Sequence, residues 1–281
     1  MTAKQRLRCD LNMLTLAGLP DFSAAPKRSG AELYRAIRAA GYEGVQAGDV
    51  ELCRQAGLRT TGHARVDSVE DAFRAAREGK EAGHDCVTIH AGTGLEDDSA
   101  QDKLAHAIVG ASEELRIPLY LETHRATITQ DIWRTVRLVE RVPGLRFNGD
   151  FSHWYTGHEM TYGDFVAKLD FMEPVFQRVR FMHGRIGNSG SMQVGVGDAV
   201  TGANVNHFRE IWTRVFNAFF NRAEDADVFI FTPELLRPGI NYARTFRDRD
   251  GVMREESDRW EEALKLCAIA RECFEEATTK C

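Results

Sequence analysis

The sequence predicts an α/β protein, a single (β/α)₈ TIM-barrel domain over residues 1–281, and three observations carry that expectation. Short β-rich runs alternate with helical stretches along the whole chain, so that eight βα units can be counted. A length of 281 residues fits the roughly 250 typical of such barrels. Neither GxGxxG nor GxxxxGKS/T follows any strand, which favours a closed barrel over a doubly wound nucleotide-binding sheet.

The strands are expected at 7–11, 44–47, 59–63, 86–90, 118–122, 145–150, 179–183 and 228–234, several of them continuous apolar runs of the kind buried parallel strands show. The intervening helices carry start signals. Ser68 precedes VEDAF with Asp71 three residues on, and Thr129 precedes QDIW, both placed as N-caps. The last helix aligns Trp260, Leu264, Cys267, Ala270 and Phe274 on one face, a core-packing stripe.

Composition narrows the function classes. Hydrophobic residues at 43% and charged residues at 28% describe an ordinary soluble globular protein. A net charge of −6 without a basic stripe argues against nucleic acid as ligand, and a small neutral substrate fits better. No run of about 18 apolar residues suggests a membrane span, and MTAKQRLRCDLNMLTL lacks the pattern of a secretory leader, so the expected location is the cytoplasm. Six cysteines, Cys9, Cys53, Cys86, Cys267, Cys273 and Cys281, show no CxxC pair and read as reduced thiols acting as small hydrophobes or bystanders.

In a (β/α)₈ barrel the chemistry sits at the C-terminal ends of the strands. Strand three ends GHAR with His63, strand four IHAG with His90, strand five YLETHR with Glu122, and strand six FNGDFSHW with Asp150 and His153. Strand seven ends FMHGR with His183 and Arg185, and strand eight FTPELLRPG with Glu234 and Arg237. Four successive strands thus end in Glu122, Asp150, His183 and Glu234. Burying three carboxylates together without a cation costs several kcal/mol, so one divalent metal is expected there. Three oxygen donors and one imidazole suit Mn²⁺, Mg²⁺, Co²⁺ or Zn²⁺, with the hard oxygens favouring manganese or magnesium. The absence of a thiol argues against a structural zinc.

LET around Glu122, DxxH from Asp150 to His153, HGR from His183 to Arg185, TPE ending at Glu234 and VGVGD before the seventh helix together resemble the xylose-isomerase-like barrel superfamily. That group includes sugar isomerases, ketose 3-epimerases, hydroxypyruvate isomerases and inosose dehydratases. The resemblance implies that Glu122, Asp150, His183 and Glu234 hold one metal, that His153 and Arg185 face substrate oxygens, and that Glu122 and Glu234 move protons. A metal bridging a carbonyl and its neighbouring hydroxyl acidifies the α-carbon proton, which makes an enediolate route chemically sensible. The sequence departs from the ketose 3-epimerases after Glu122, where THRATI lacks their further glutamate and brings His124 and Arg125 instead.

Several residues carry more than one reading. His63 and His90 are expected to hydrogen-bond sugar hydroxyls or to be structural, and Trp154 and Tyr155 to offer a sugar platform or to pack. The segment Gly187 to Asp198 is long for a βα loop and is a candidate lid. Arg185 and Arg237 suit a phosphate or carboxylate, or else bridge loop carboxylates. The leading function is a metal-dependent sugar isomerase or epimerase acting on a small sugar or sugar derivative, with no nucleic-acid or membrane partner; a homo-oligomer is compatible with it. The alternatives are a lyase or dehydratase on a keto-sugar, a non-catalytic sugar-binding barrel, and an apurinic-site endonuclease. The last requires several metals, many more His and carboxylate ligands and a basic face, which the sequence does not suggest.

Overall fold

The structure, a computed structural model, describes residues 5–197, 202–221 and 228–279. Eight parallel strands close into a barrel in sequence order: β1 (Arg6–Asn12), β2 (Gly44–Gln46), β3 (Arg59–Val66), β4 (Val87–Ala91), β5 (Leu119–Glu122), β6 (Phe147–Asn148), β7 (Val179–Gly184) and β8 (Val228–Pro233). Closure is made by β1 against β8, with Arg6 opposite Val228 and Cys9 opposite Phe231. The expected strand six is cut to two residues. A register shift against β7 between Phe147 and Asn148 ends the ladder early, so Asp150 follows the strand instead of closing it.

Five of the helices covering the barrel begin on side-chain caps, which satisfy first-turn N–H groups that have no partner within the helix. Ser68 accepts from the Asp71 N–H at the start of α3 (Val69–Glu81), as the sequence suggests. Thr129 does not cap the helix after strand five. Asp131 does so, accepting from Arg134 N–H at the start of α5 (Ile132–Arg141), while the Thr129 hydroxyl donates to the Glu122 carbonyl at 2.5 Å. Aspartates also cap α2 (Val50–Gln55), α4 (Asp98–Leu115) and α7 (Phe165–Phe176), at Asp49, Asp97 and Asp164. The remaining helices are α1 (Gly30–Ala39), α6 (Ser152–Gly157), α8 (Ala203–Phe220) and α9 (Arg259–Thr279). On α9 the stripe is buried at Trp260, Cys267, Ala270 and Phe274, with Leu264 only partly covered.

Alternation along each strand divides the core in two. Leu7, Cys9 and Leu11 of β1 belong to the large cluster between sheet and helices, whereas Cys86, Phe181 and Ile230, with Tyr120 and Val228 against them, form a separate small one inside the barrel. Arg8 and Asp10 share the inward phase of β1 and form a buried ion pair, Nε to Oδ1 at 2.9 Å and Nη2 to Oδ2 at 2.7 Å. Gly44 makes room for it, since a Cβ there would lie 2.4 Å from Asp10 Oδ1. In the HGR segment, a Cβ on Gly184 would stand 2.2 Å from the Phe231 ring, so glycine there leaves the room in which that ring packs against Trp212.

The chain does more after β8 than the sequence reading anticipates. An antiparallel pair, β9 (Thr245–Arg247) and β10 (Met253–Glu255), stands on the same end of the barrel as the candidate site. Its strands are three residues each, too short for a periodic signal. Among the described residues no helix is long and apolar enough to cross a membrane. Cys9, Cys53, Cys86, Cys267 and Cys273 are free and buried, and Cys281 lies outside the described residues.

Candidate active site

Glu122 closes β5, Asp150 lies two residues beyond β6, His183 sits within β7 and Glu234 follows β8. Barrel closure brings one ligand-capable atom from each to within 4.8 Å of the others. Glu122, Asp150 and His183 are buried, and the Glu234 side chain retains 14% exposure. His183 Nδ1 faces Glu122 Oε1 at 3.4 Å and Glu234 Oε2 at 3.7 Å.

The imidazole is held in that orientation by residues of the first two strands. Asn12 Oδ1 accepts from Leu14 N–H, which turns its Nδ2 towards Gln46 Oε1 at 2.9 Å and Glu234 Oε1 at 3.0 Å. Gln46 Oε1, fixed as an acceptor, lies 2.8 Å from His183 Nε2 and so takes that N–H. The Nδ1 lone pair is thereby aimed at the carboxylates. Both His183 Nδ1 and Glu122 Oε1 are buried without a hydrogen-bond partner, which is the condition a bound cation relieves. The donor set of this structure therefore fits a divalent ion, the hard oxygens suiting manganese or magnesium.

The electrostatics point the same way. Burial alone would lower the His183 pKa, but the carboxylates of Glu234 and Glu122 outweigh it and lift the imidazole to about 9. Burial likewise opposes, and the Glu122 charge reverses, the shift of His90, which ends above its ordinary value. Glu122 and Asp150 are held well below the carboxylate range although burial pushes them up, Glu122 by His183 and His90, Asp150 by Arg185 and His153. All four shifts have one origin: a buried cluster of carboxylates attracts positive charge, as a proton on imidazole or as a metal ion.

Arg185 supplies part of that charge. Its Nη2 contacts Asp150 Oδ2 and lies 3.0 Å from Glu234 Oε2, and its Nε donates to Ser152 Oγ at 3.1 Å. With 1% exposure it bridges two carboxylates, where the resemblance implied an arginine facing substrate oxygens. His153 is also buried, its Nε2 3.5 Å from Asp150 Oδ2. Trp154 and Tyr155 are no sugar platform: both are core residues of α6, and Trp154 donates to the Thr129 carbonyl at 2.8 Å.

Imidazoles line one wall of the mouth in a row. Ring centroids are 4.4 Å apart from His63 to His90, 4.2 Å from His90 to His124 and 4.1 Å from His124 to His153. His90 Nε2 reaches Glu122 Oε2 at 3.0 Å. His63, His90 and Glu122 meet the same spacing as the main cluster, as do Glu122, His124 and His153, so the site holds more ligand-capable histidines than the sequence reading allowed. Burial, with the neighbouring imidazole of His153, lowers His124 to about 3 and leaves it a neutral imidazole.

The segment expected as a lid is pinned instead. Val194 N–H donates to the Ile186 carbonyl, Gln193 pairs both ways with the Leu236 backbone, and Val196 N–H donates to Glu262. Asp198 falls outside the described residues. Asn12, Gln46, Asn148 and Ser152, which orient the candidate ligands, are absent from the sequence reading. Asn12 and Gln46 do end their strands, and polarity at that position is the signal that exposes them.

No family model matches this chain, and no curated protein matches it in sequence. Solved structures do match. A D-tagatose 3-epimerase-like protein superposes with a TM-score of 0.58 at 14% identity, over 97% of this chain and 99% of that one. A xylose isomerase-like TIM barrel protein from Mycobacterium smegmatis, in complex with magnesium, gives 0.58 at 12% identity over 96% and 97%. The probable 3-DHS dehydratase AsbF of Bacillus anthracis gives 0.56 at 14% identity over 83% and 94%. At these identities the likeness is one of fold, and the resemblance to xylose-isomerase-like barrels holds at that level.

Proposed function

We propose that the protein is a divalent-metal-dependent isomerase or epimerase of a small keto-sugar, moving a proton at the carbon beside a carbonyl. The observation that carries the reading is the convergence of Glu122, Asp150, His183 and Glu234, with His183 Nδ1 and Glu122 Oε1 both lacking any other partner. The four residues would hold manganese or magnesium, and the ion would supply Lewis-acid polarisation of the substrate carbonyl. The magnesium of the Mycobacterium smegmatis barrel agrees with this choice.

The remaining roles follow from position. Glu122 and Glu234 enter from β5 and β8, different sides of the mouth, so one removes a proton and the other returns it from another direction. Arg185 keeps Asp150 ionised and orders both Asp150 and Glu234. His90, 22% exposed, and His63 present imidazole nitrogens to substrate hydroxyls. Neutral His124 extends that wall and donates or accepts without adding charge.

Proton exchange tests the reading. Manganese-loaded protein in deuterated water, followed by NMR over a panel of ketoses, is expected to incorporate deuterium beside the carbonyl of the substrate it converts. Exhaustive chelation should abolish this, and Glu122→Gln and Glu234→Gln should each lower turnover by at least about 10²–10⁴-fold. Near wild-type exchange in both variants, or full activity without metal, refutes it. A product with water expelled instead of a shifted carbonyl or inverted centre would mark a dehydratase.

A further inference from the structure

Beside the candidate metal site, the loop after β5 and the extension after β8 enclose a cavity of about 350 Å³, within the range of small-molecule sites. Two arginines line it, Arg125 and Arg244, and no carboxylate does, in a chain that carries 42 acidic residues. Arg244 is neutralised by Glu256, Nε to Oε2 at 2.9 Å. The Arg125 side chain has neither hydrogen bond nor ion pair among the described residues and stands 5.2 Å over the centroid of the Tyr242 ring. The hydroxyls of Ser191, Tyr242 and Thr245 on the same cavity are likewise unengaged among the described residues.

One ring separates this cavity from the chemistry. Arg185, which touches Asp150 and Glu234, lies 4.8 Å from the same Tyr242 centroid, and the His153 ring 6.5 Å from it. A guanidinium laid on an aromatic face is pre-oriented and keeps its N–H edge free for two parallel bonds to an oxyanion. We infer that the cavity binds the anionic end group, phosphate or carboxylate, of the substrate whose carbonyl end is held at Glu122, Asp150, His183 and Glu234, with Arg125 as the recognising cation. This rests on the function proposed above and adds to it a substrate class, an anionic keto-sugar, where the overall negative charge of the chain favoured a neutral one. Global charge describes the surface at large, whereas recognition is decided by the groups lining one cavity.

Two titrations of the full chain test the inference. The first adds inorganic phosphate to metal-free protein. The second adds D-fructose, its terminal phosphate monoester, or the ketohexonic acid bearing a carboxylate at that end, to manganese-loaded protein. Phosphate binding should weaken about tenfold or more in Arg125→Gln, the scale of one lost charge-assisted interaction. At least one anionic sugar should bind roughly tenfold tighter than fructose, an advantage the variant removes, and the preferred arm tells phosphate from carboxylate. Arg77→Gln removes an exposed arginine of α3 without an ion pair among the described residues, one outside the cavity lining, and should leave all values unchanged. Equal phosphate binding by Arg125→Gln and wild type, equal weakening by Arg77→Gln, or fructose binding as tightly as both charged relatives overturns the proposal. Because the phosphate titration needs neither metal nor turnover, its failure is distinguishable from failure of the metal-dependent reading.

Discussion

Replacing Gln46 by leucine separates metal binding from folding. Gln46 is 1% exposed, and its Oε1 accepts from His183 Nε2 at 2.8 Å and from Asn12 Nδ2 at 2.9 Å. Leucine nearly conserves volume but removes the acceptor, and a buried N–H left unpaired costs about 1–3 kcal/mol. When neutral, above its raised pKa of about 9, the ring can escape that cost by moving its proton to Nδ1, which faces Glu122 Oε1 at 3.4 Å, while Nε2 accepts from Asn148 Nδ2 at 3.2 Å. The alternative tautomer is satisfied in the metal-free protein, yet it occupies the lone pair a metal requires. Metal affinity should therefore fall about 10–100-fold, the usual effect of removing a partner that orients a ligand, or roughly 1.4–2.8 kcal/mol. Urea unfolding of the metal-free variant should shift by less than about 1 kcal/mol, since Asn148 compensates. Calorimetric titration with Mn²⁺ reads the first quantity and denaturation the second. Manganese affinity within about twofold of wild type would refute the argument that Gln46 sets the tautomer. So would a loss of metal-free stability as large as the loss of binding.

Other outcomes follow from the interior. Arg8→Met strips the buried Asp10 carboxylate of its bidentate partner and should cost about 3–5 kcal/mol by urea denaturation, with much of the loss recovered in the Arg8→Met, Asp10→Asn double variant. Recovery of nothing would mean that the pair is not the source of the effect. A thiol reagent at mildly alkaline pH should find at most one reactive cysteine in the native chain and six after unfolding, because burial pushes Cys53 up to about 12 and Cys86 higher still. Fast modification of a second thiol in the folded protein would contradict the burial of Cys9, Cys53, Cys86, Cys267 and Cys273.

The barrel was legible because its signal is local. Apolar strand runs, helix periods and the polar residue ending each strand are set by neighbours a few positions apart, and from them come the eight strands and the candidate ligands Glu122, Asp150, His183 and Glu234. The cap at α5 was misplaced for a related reason: Thr129 and Asp131 are both good capping types two residues apart, and only the path of the chain decides which side chain meets the first free N–H.

Tertiary structure alone decided what those residues touch. Asn12 reaches Glu234 across 222 residues of sequence because β1 closes on β8, and no periodicity encodes that meeting. Arg185 lies between two carboxylates because Asp150 lies past a shortened β6 and Glu234 past β8, so that both ends converge on one guanidinium. Tyr242 joins the site from an extension whose three-residue strands leave no pattern, and the segment after Ile186 is anchored by Glu256, Glu262 and the Leu236 backbone, partners it meets only in the closed fold. Composition and spacing constrain which groups a chain can bring to a barrel mouth. The closure of the sheet sets their distances, and with them the desolvation and charge balance that determine what the mouth can bind.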